Sequence, residues 1–583
     1  MAIRSRSGLH DIAGGAQLPD SLTGLLTATP FSYTITAAPA LFPQGERMDD
    51  AAVRRNAYNV FIQDTWKVSS RLTLNYGLRY EVESRIGEAA HLTSGVEFRP
   101  DGAHMIVNNR PPYPMSWKGL APRLAADWKV DEKTVVRAGA GITTLLLNLW
   151  QQNFVTGGIP FVVAPFSTAA PGSPVPFSNS VTAVPLPRMY TTSGSVLYPT
   201  GRSMDLASNT EMDLLRFERD LAALSTDKLQ RPISAQAFGQ SFHNGYIGSW
   251  TASMERRVSD VTLNAAYVGT AGVKLPRMGF SNGYAGADPA FAPYTNFDAS
   301  GRAESGFASI VTMENASHST YHSLQASVSK NSLRAGLGFQ ASYTFSKSID
   351  DTSSVLGGFL SGSSGTILQT APQNPRDLRA EKGPSTFDIA HGFSCSAIQE
   401  LRLQRTPLRA LGKRAAGGWQ LVGLGSMMTG APFTVYSGIQ QTGVGSNGAD
   451  RPDQIGTPAL STSRTVREDY FGLGANNASF FPIPLGVAGG TGPNHGRFGT
   501  LGRNTLRGPA FHQFDVSLVK DTPIGPAANP ERVVMQFRAE CVNIFNLVNF
   551  GLPANIVLGP GFGMISRTAG PSRQVQFSLK VVY

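Results

Sequence analysis

The stretch LTLNYGLRYEV, residues 72–82, decides the fold class of this sequence. Apolar side chains occupy every second position, and they are Leu72, Leu74, Tyr76, Leu78, Tyr80 and Val82. Polar residues and one glycine fill the positions between them: Thr73, Asn75, Gly77, Arg79 and Glu81. Successive side chains of a β-strand point to opposite faces, so this alternation predicts a strand with one apolar and one polar face.

The same alternation recurs along the chain and predicts thirteen strands. They are 56–68, 71–84, 120–130, 133–145, 244–258, 261–273, 319–330, 333–347, 386–401, 417–430, 511–520, 532–546 and 573–583. Each has ten or more residues, whereas strands of soluble proteins usually have about 5–6. A strand that crosses a bilayer at a tilt needs about 9–11 residues, so the lengths favour membrane-spanning strands.

The gaps between the predicted strands alternate strictly between short and long. Gaps 69–70 and 131–132 are tight turns, whereas 85–119 and 146–243 are long, and the order persists to the last strand. Bacterial outer-membrane barrels have short turns on the periplasmic side and long loops outside the cell. The sequence therefore predicts an all-β, antiparallel transmembrane β-barrel with short periplasmic turns and long extracellular loops, located in the cell outer membrane.

Strand parity indicates that this barrel is partial, with about 13–14 strands. Single-chain bacterial barrels have an even strand number, so thirteen implies a strand that is missing or unrecognised. Residues 29–39, where Phe31, Tyr33 and Ile35 alternate, are the candidate for a fourteenth. We accordingly divide the chain into residues 1–55, a loop-rich N-terminal segment with one candidate strand, and a barrel domain over 56–583. The first residues lack the apolar core of a signal peptide, which favours a truncated barrel.

Five stretches carry a resemblance to a known family. They are AYNVFIQDTWKVSSRLTLNYGLRYE (57–81), APRLAADWKVDEKTVVRAGAGI (121–142), NPRDLRAEKGPSTFDIAHGF (374–393), GRNTLRGPAFHQFDVSLVK (502–520) and FRAECVNIFNLVNFG (537–551). In this order they resemble TonB-dependent outer-membrane receptors of the Oar-like group, over roughly residues 20–583. The resemblance implies the C-terminal part of a receptor barrel that takes up an unidentified ligand across the outer membrane.

The sequence also departs from that family. Its members have a signal peptide, often a small carboxypeptidase-regulatory-like domain, a plug with a TonB-contacting box, and a barrel of about 22 strands. No plug or TonB-contacting box is recognisable here, so contact with TonB is expected only through a plug that this chain does not carry. Cys541 stands where the family pattern usually has an aromatic residue. A passive pore, an adhesin-like surface barrel and a nonfunctional truncated fragment stay open as alternatives.

Catalytic, cofactor and metal sites are not predicted, and the chain is not expected to be an enzyme. A GxGxxG match at Gly443, Gly445 and Gly448 is followed by Pro452, which prevents the helix that a dinucleotide site requires. Two cysteines exclude a disulfide scaffold, and the nine histidines show no metal-ligand spacing. The net charge of +10 comes from scattered arginines without a nucleic-acid-binding module, so no nucleic-acid partner is expected.

The alternation assigns side chains to the two faces of the wall. The predicted lumen residues are Thr73, Asn75, Arg79, Gln574, Gln576 and Lys580, and the predicted lipid-facing residues are Leu72, Leu74, Leu78, Phe577 and Leu579. Ligand specificity is expected from loops 146–243 and 431–510. Within the first loop, Leu214, Phe217, Leu221 and Leu224 have helical spacing and predict a helix that packs on its own loop. For Asp388 and His391, hydrogen bonding at the lumen or rim is the preferred interpretation.

The C-terminal residues predict a site of a different kind. Phe577, Leu579, Val581 and Tyr583 share one face of the last strand, and the chain ends in an aromatic residue. The family resemblance implies that the barrel assembly machinery recognises this strand as an assembly signal. The expected partners are therefore outer-membrane lipid and the barrel assembly machinery.

Overall fold

The computed structural model describes most of the chain from residue 53 onward. The described ranges are 53–88, 93–107, 115–146, 190–195, 210–223, 233–239, 242–283, 289–297, 303–331, 336–354, 372–407, 412–439, 450–456, 467–472, 479–486, 496–524, 533–559 and 561–583, with isolated residues or short pieces at 5–6, 13–17, 32–36, 50–51, 166–168, 299, 410, 441–442 and 444.

Thirteen long strands form one continuous sheet, which we call the wall. They are β1 (Ala57–Lys67), β2 (Leu72–Glu83), β3 (Leu120–Lys129), β4 (Thr134–Thr144), β5 (Tyr246–Val258), β6 (Val261–Asn282), β7 (Ala303–Lys330), β8 (Leu337–Asp350), β9 (His391–Leu401), β10 (Trp419–Met428), β11 (Phe511–Pro523), β12 (Val534–Val542) and β13 (Gln574–Val582). Each pairs antiparallel with the next in chain order. All thirteen predicted strands are therefore confirmed, as is the antiparallel all-β class.

Two strands are much longer than predicted. The sequence placed ends at residues 273 and 319, but β6 runs to Asn282 and β7 begins at Ala303. The alternation of apolar and polar residues is lost between Gly272 and Leu275, where the pairing register shifts. Beyond this point the two strands stay paired through their backbones, but the sequence pattern no longer indicates them. The short strand Ile233–Phe238 pairs in parallel with this extension of β7. The predicted loop 274–318 is thus mostly a raised hairpin.

Smaller corrections concern strand ends. β8 begins at Leu337 rather than 333 and continues to Asp350, and β9 begins at His391 rather than 386. Residues Ser32–Thr36, within the candidate fourteenth strand, pair with Ala13–Gln17 and Phe166–Thr168 and not with the wall. The described residues therefore supply thirteen wall strands.

The remaining elements lie mostly at the rim where the long loops emerge. The short strands are Ser5–Arg6, Ala13–Gln17, Ser32–Thr36, Asp50–Ala51, Val53–Arg54, Gly87–Glu88, Ser94–Arg99, Gly102–Val107, Phe166–Thr168, Thr210–Glu211, Ile233–Phe238, Thr295–Phe297, Gly383–Pro384, Pro432–Phe433 and Leu506–Arg507. The helices are Leu214–Ala223 and Lys413–Ala416, with 3₁₀ turns at Pro289–Phe291, Leu378–Glu381 and Leu403–Arg405. Among the described residues no helix has the length and apolarity needed to cross a membrane.

The strand register confirms the predicted division into an apolar and a polar face. Ile62 pairs with Leu78 on the apolar face, and Leu78 has 41% of its surface exposed. On the polar face Asn75 accepts a hydrogen bond from the Thr65 hydroxyl (2.9 Å) and donates one to the Asp127 carboxylate (3.1 Å). Apolar side chains exposed in a regular row are typical of a surface that meets another apolar phase.

The wall has two open edges. β1 and β13 each have one side that pairs with no other described strand. Both strands run from the long-loop rim toward the short-turn rim, because an even number of strand reversals separates the first strand from the thirteenth. The two edges are therefore parallel to each other, and direct pairing would place one parallel junction in an antiparallel wall.

Candidate functional site

The long-loop rim is held together by buried ion pairs between segments that are far apart in sequence. Arg503 donates through Nη2 to the carboxylate of Asp350 at the end of β8, and through Nε to the carbonyl of Glu381 (2.7 Å). Arg503 is 5% and Asp350 3% exposed. One arginine thus ties the end of a wall strand to segments 372–390 and 496–507.

Two further pairs complete what we call the rim network (Asp350, Glu381, Asp388, Arg451, Arg503 and Arg507). Arg451 Nη1 donates to Glu381 Oε2 at 2.8 Å, with both side chains 3% exposed. Arg507 donates through Nη2 to the carboxylate of Asp388, which also accepts the backbone N–H of Ser348 (2.6 Å). Three arginines and three carboxylates balance in charge, as buried ionised groups require.

The interpretation of hydrogen bonding at the lumen or rim agrees with the contacts of Asp388, but it is wrong for His391, which lies on the apolar face of β9. Asp388 lies before β9 and bonds Arg507, whereas the Nδ1 atom of His391 lies 2.7 Å from the Tyr343 hydroxyl on the apolar face. The two side chains serve different surfaces, and their spacing of three residues carries no shared chemistry.

Loop 431–510 forms a small hydrophobic core in its described parts. Its buried residues, joined by two from the last long connection, are Phe433, Val435, Tyr470, Phe471, Phe481, Leu501, Leu506, Val557 and Ile565. Burial raises the pKa of Tyr470 to about 12, which keeps its hydroxyl protonated as a donor to the carbonyl of Arg507. Burial likewise raises the pKa of Asp450, against hydrogen bonds from Thr442. The described parts of loop 431–510 therefore pack around a hydrophobic core of their own.

The predicted helix is present as Leu214–Ala223. Phe217 is 2% exposed, and Glu218 accepts backbone N–H groups from Ile233 (3.2 Å) and Gly306 (2.9 Å). The helix thus packs on its own loop, as the sequence predicted, and also on the raised β6–β7 hairpin, which the sequence did not predict.

A charged cluster lies on the hairpin Ser94–Arg99 and Gly102–Val107. His104 contacts Glu211 through Nδ1 (2.9 Å) and Asp101 through Nε2 (3.1 Å), and Arg99 donates to Glu211 (2.6 Å). Burial opposes ionisation of Glu211, but the His104 and Arg99 hydrogen bonds outweigh it and lower its pKa. These contacts fasten Thr210–Glu211 to the hairpin.

Two depressions lie on the polar face of the wall. One, with a volume of about 610 Å³, is lined among others by Gln63, Asn75, Gly77, Arg123, Gly139 and Gly141. The other, of about 470 Å³, is lined among others by Gln340, Ser342, Ser394, Ser396, Ser426, Gln513 and Asp515. The second lining contains four serines and two glutamines, which can bond a polar solute, whereas apolar groups such as Leu124, Trp250 and Val268 make up much of the first.

The remaining predicted site residues are placed as follows. Phe577, Leu579 and Val581 lie on the apolar face of β13, opposite Ala539, Phe537 and Met535 of β12, and Tyr583 is 98% exposed. The glycines of the GxGxxG match lie outside the described residues. Within the described ranges, no three His, Cys, Asp or Glu side chains converge in a way that could hold a metal ion.

Sequence reasoning missed the rim network as a unit. Four of its six residues fall inside two stretches that carried the family resemblance, Glu381 and Asp388 in 374–393 and Arg503 and Arg507 in 502–520. Stretch 374–393 contains other charged residues as well, among them Arg376, Asp377 and Lys382, and nothing in the spacing of the network residues pairs them.

Comparison with known proteins places the whole chain in one family. The family model described as "Outer membrane beta barrel domain" matches residues 10–576. No curated protein matches the sequence.

Solved structures match at low identity. A mutant of the ferric enterobactin receptor PfeA from Pseudomonas aeruginosa is 11% identical with a TM-score of 0.41, covering 94% of this chain and 49% of its own. The copper transporter OprC is 10% identical with a TM-score of 0.36, covering 94% and 52%. The P. aeruginosa pyoverdine receptor FpvA is 10% identical with a TM-score of 0.37, covering 92% and 40%. The chain therefore spans about half or less of these structures.

Proposed function

This chain belongs to the family of outer-membrane β-barrel domains, and from that premise we propose that it is the C-terminal part of the barrel of a TonB-dependent, Oar-like receptor. In this role the wall crosses the outer membrane and the folded outer segments help to capture a ligand. The proposed activity is transport and not catalysis. Coupling to TonB would require a plug contributed from outside the residues of this chain.

The parallel edges of the wall carry the proposal. An antiparallel barrel closes only when an odd number of further strands is inserted between β1 and β13, and this gives the even total of bacterial barrels. Both edge strands also expose apolar side chains strongly, with Ile62 at 73% and Phe577 at 69%. Lipid leaves unpaired backbone groups without a partner, so the edges need additional strands.

The rim network supports a receptor in preference to a simple pore. It joins segments 372–390, 450–453 and 496–507 into one folded body above the wall. A pore needs only an open lumen, whereas capture of a solute requires outer segments that hold a defined shape. Together with the serine-lined depression on the polar face of the wall, such a body suits recognition of a polar ligand.

Photo-crosslinking in the native bacterium tests this function. A p-benzoylphenylalanine at Phe61, on the polar face of edge strand β1, is expected to crosslink to a polypeptide that contains a plug and a TonB-contacting segment, identified by mass spectrometry. The same group at Val60, one residue along on the apolar face, is the matched control: it should reach lipid or a neighbouring strand and give no crosslinked peptide from the plug.

Each other outcome of that experiment contradicts the receptor proposal. Crosslinks from Phe61 to β13 of the same or another copy would show a self-closed barrel and favour a passive pore or adhesin. Absence of the chain from the outer membrane would favour a nonfunctional fragment.

A further inference from the structure

Two tyrosine–histidine pairs lie side by side on the apolar face of the wall. The Tyr267 hydroxyl is 2.8 Å from His322 Nδ1 across β6 and β7, and the Tyr343 hydroxyl is 2.7 Å from His391 Nδ1 across β8 and β9. The rings of each pair are stacked, with centroids 6.2 Å apart. Such a repeated polar contact is unexpected on a surface that meets hydrocarbon.

A lysine stands between the two pairs. Lys347 of β8 pairs directly with His322 of β7, which places their Cβ atoms about 5 Å apart. It is exposed on the same face as Tyr343 and Phe345. Among the described residues no carboxylate forms an ion pair with Lys347. The acidic side chain nearest in sequence on this face is Asp351, which already bonds the backbone N–H of His318 (3.0 Å) and lies 3.6 Å from its ring.

The level of this group in the wall corresponds to the outer boundary of the hydrocarbon. From the short turn after Lys330, β8 pairs with β7 up to Asp350, and Lys347 lies three residues below that end. Trp250 faces the ring of His322 at 6.0 Å, and Phe345 faces His391 at 5.1 Å. Aromatic residues collect at such interfaces, and a lysine there costs only about 0–1 kcal/mol, against about 2–4 at the midplane.

The tyrosine contacts leave each histidine able to offer an N–H donor to a ligand. When a tyrosine hydroxyl donates to Nδ1, the neutral imidazole carries its proton on Nε2. Each ring then presents an N–H donor without needing to be charged. Two N–H donors flank one ammonium group with three donors of its own, and this set complements the oxygens of a phosphate.

We propose that Lys347, His322 and His391 bind the phosphate group of a phosphorylated glycolipid in the outer leaflet of the membrane. The acyl chains of this lipid lie along the apolar face below, and its phosphate lies at the level of Lys347. The site is separate from ligand transport, and its test does not depend on the proposed receptor function.

Lipid binding by the protein purified from native outer membranes in detergent micelles, together with any polypeptide that closes its wall, tests the site. Diphosphoryl lipid A is the probe, and its affinity is measured by titration. Lys347→Gln is expected to weaken binding about 5-fold, the effect of one cation near an anionic lipid surface. His322→Phe keeps an aromatic ring and removes the donor, and should weaken binding about 3-fold.

Matched controls separate this site from general charge effects. Lys580→Gln removes an exposed lysine from the opposite, polar face of β13, and should leave binding unchanged. Lys347→Arg keeps the charge and should retain binding. The unaltered chain should bind dephosphorylated lipid A more weakly than any of the variants binds diphosphoryl lipid A. Comparison of the two lipids on the unaltered chain does not depend on a variant folding.

Three results would overturn the proposal. They are equal affinity for phosphorylated and dephosphorylated lipid A, equal weakening by Lys580→Gln, or binding of inorganic phosphate alone as tight as that of the lipid. The last would assign a free-anion site in place of a lipid site.

Discussion

Replacing Arg503 with methionine is expected to lower the free energy of unfolding by about 3–5 kcal/mol, because removal of one partner leaves a buried charge without compensation. Asp350 would keep its carboxylate at 3% exposure, and the carbonyl of Glu381 would lose its donor. Denaturant unfolding measures the total effect. Hydrogen exchange should show the loss of protection concentrated in segments 372–390 and 496–507.

Arg497→Met is the matched control for this prediction. Arg497 lies in the same outer segment and pairs with Asp453, but its side chain is 62% exposed. Exposed ion pairs contribute about 0–1 kcal/mol, so this variant should remain near the unaltered stability. Equal losses for Arg497→Met and Arg503→Met would mean that the rim network does not hold the outer segments.

Deleting Val581–Tyr583 is expected to abolish accumulation of the protein in the outer membrane. The deletion removes the pairs of Val581 and Val582 with Met535 and Val534, and it shortens the strand at an edge of the wall. It also removes two of the four residues, Val581 and Tyr583, that we propose as the assembly signal read by the barrel assembly machinery. Membrane fractionation with immunoblotting measures the outcome.

Leu485→Ala provides the comparison for the deletion. Leu485 is 64% exposed in an outer segment, and its replacement should leave the amount in the outer membrane unchanged. Tyr583→Ala alone should reduce accumulation less than the deletion does. A truncated protein that reached the outer membrane folded and in normal amount would rule out both the assembly signal and the need for an intact last strand.

The wall could be predicted from sequence because its determinants are local. Each strand carries its own period of two, so LTLNYGLRYEV identifies β2 without reference to any other segment. The turn lengths add topology by the same local means. Where the period fails, as around Gly272, the prediction fails with it, and the extension of β6 to Asn282 became visible only through pairing with β7.

The rim network and the lipid-facing histidines could not be predicted because their determinants are not local in the sequence. Arg503 meets Asp350 from a distant segment, and no periodicity connects them. His322 and Lys347 are neighbours only because of the β7–β8 register, which a shift of one residue would abolish. Function at such sites depends on register and loop packing, whereas the fold class depends on pattern alone.

Cysteine scanning along β2 tests most directly whether the wall spans a membrane with these faces. Single cysteines replace residues 73–76 and 78–80 in a background where Cys395 and Cys541 are serine, and the protein is labelled in outer membranes isolated from the native bacterium. A membrane-impermeant maleimide should label positions 73, 75 and 79, and a lipid-soluble reagent positions 74, 76, 78 and 80; Gly77 is left out because a side chain there would clash with the backbone carbonyl of Ile62. Uniform labelling along the strand by the impermeant reagent would contradict a membrane-spanning wall.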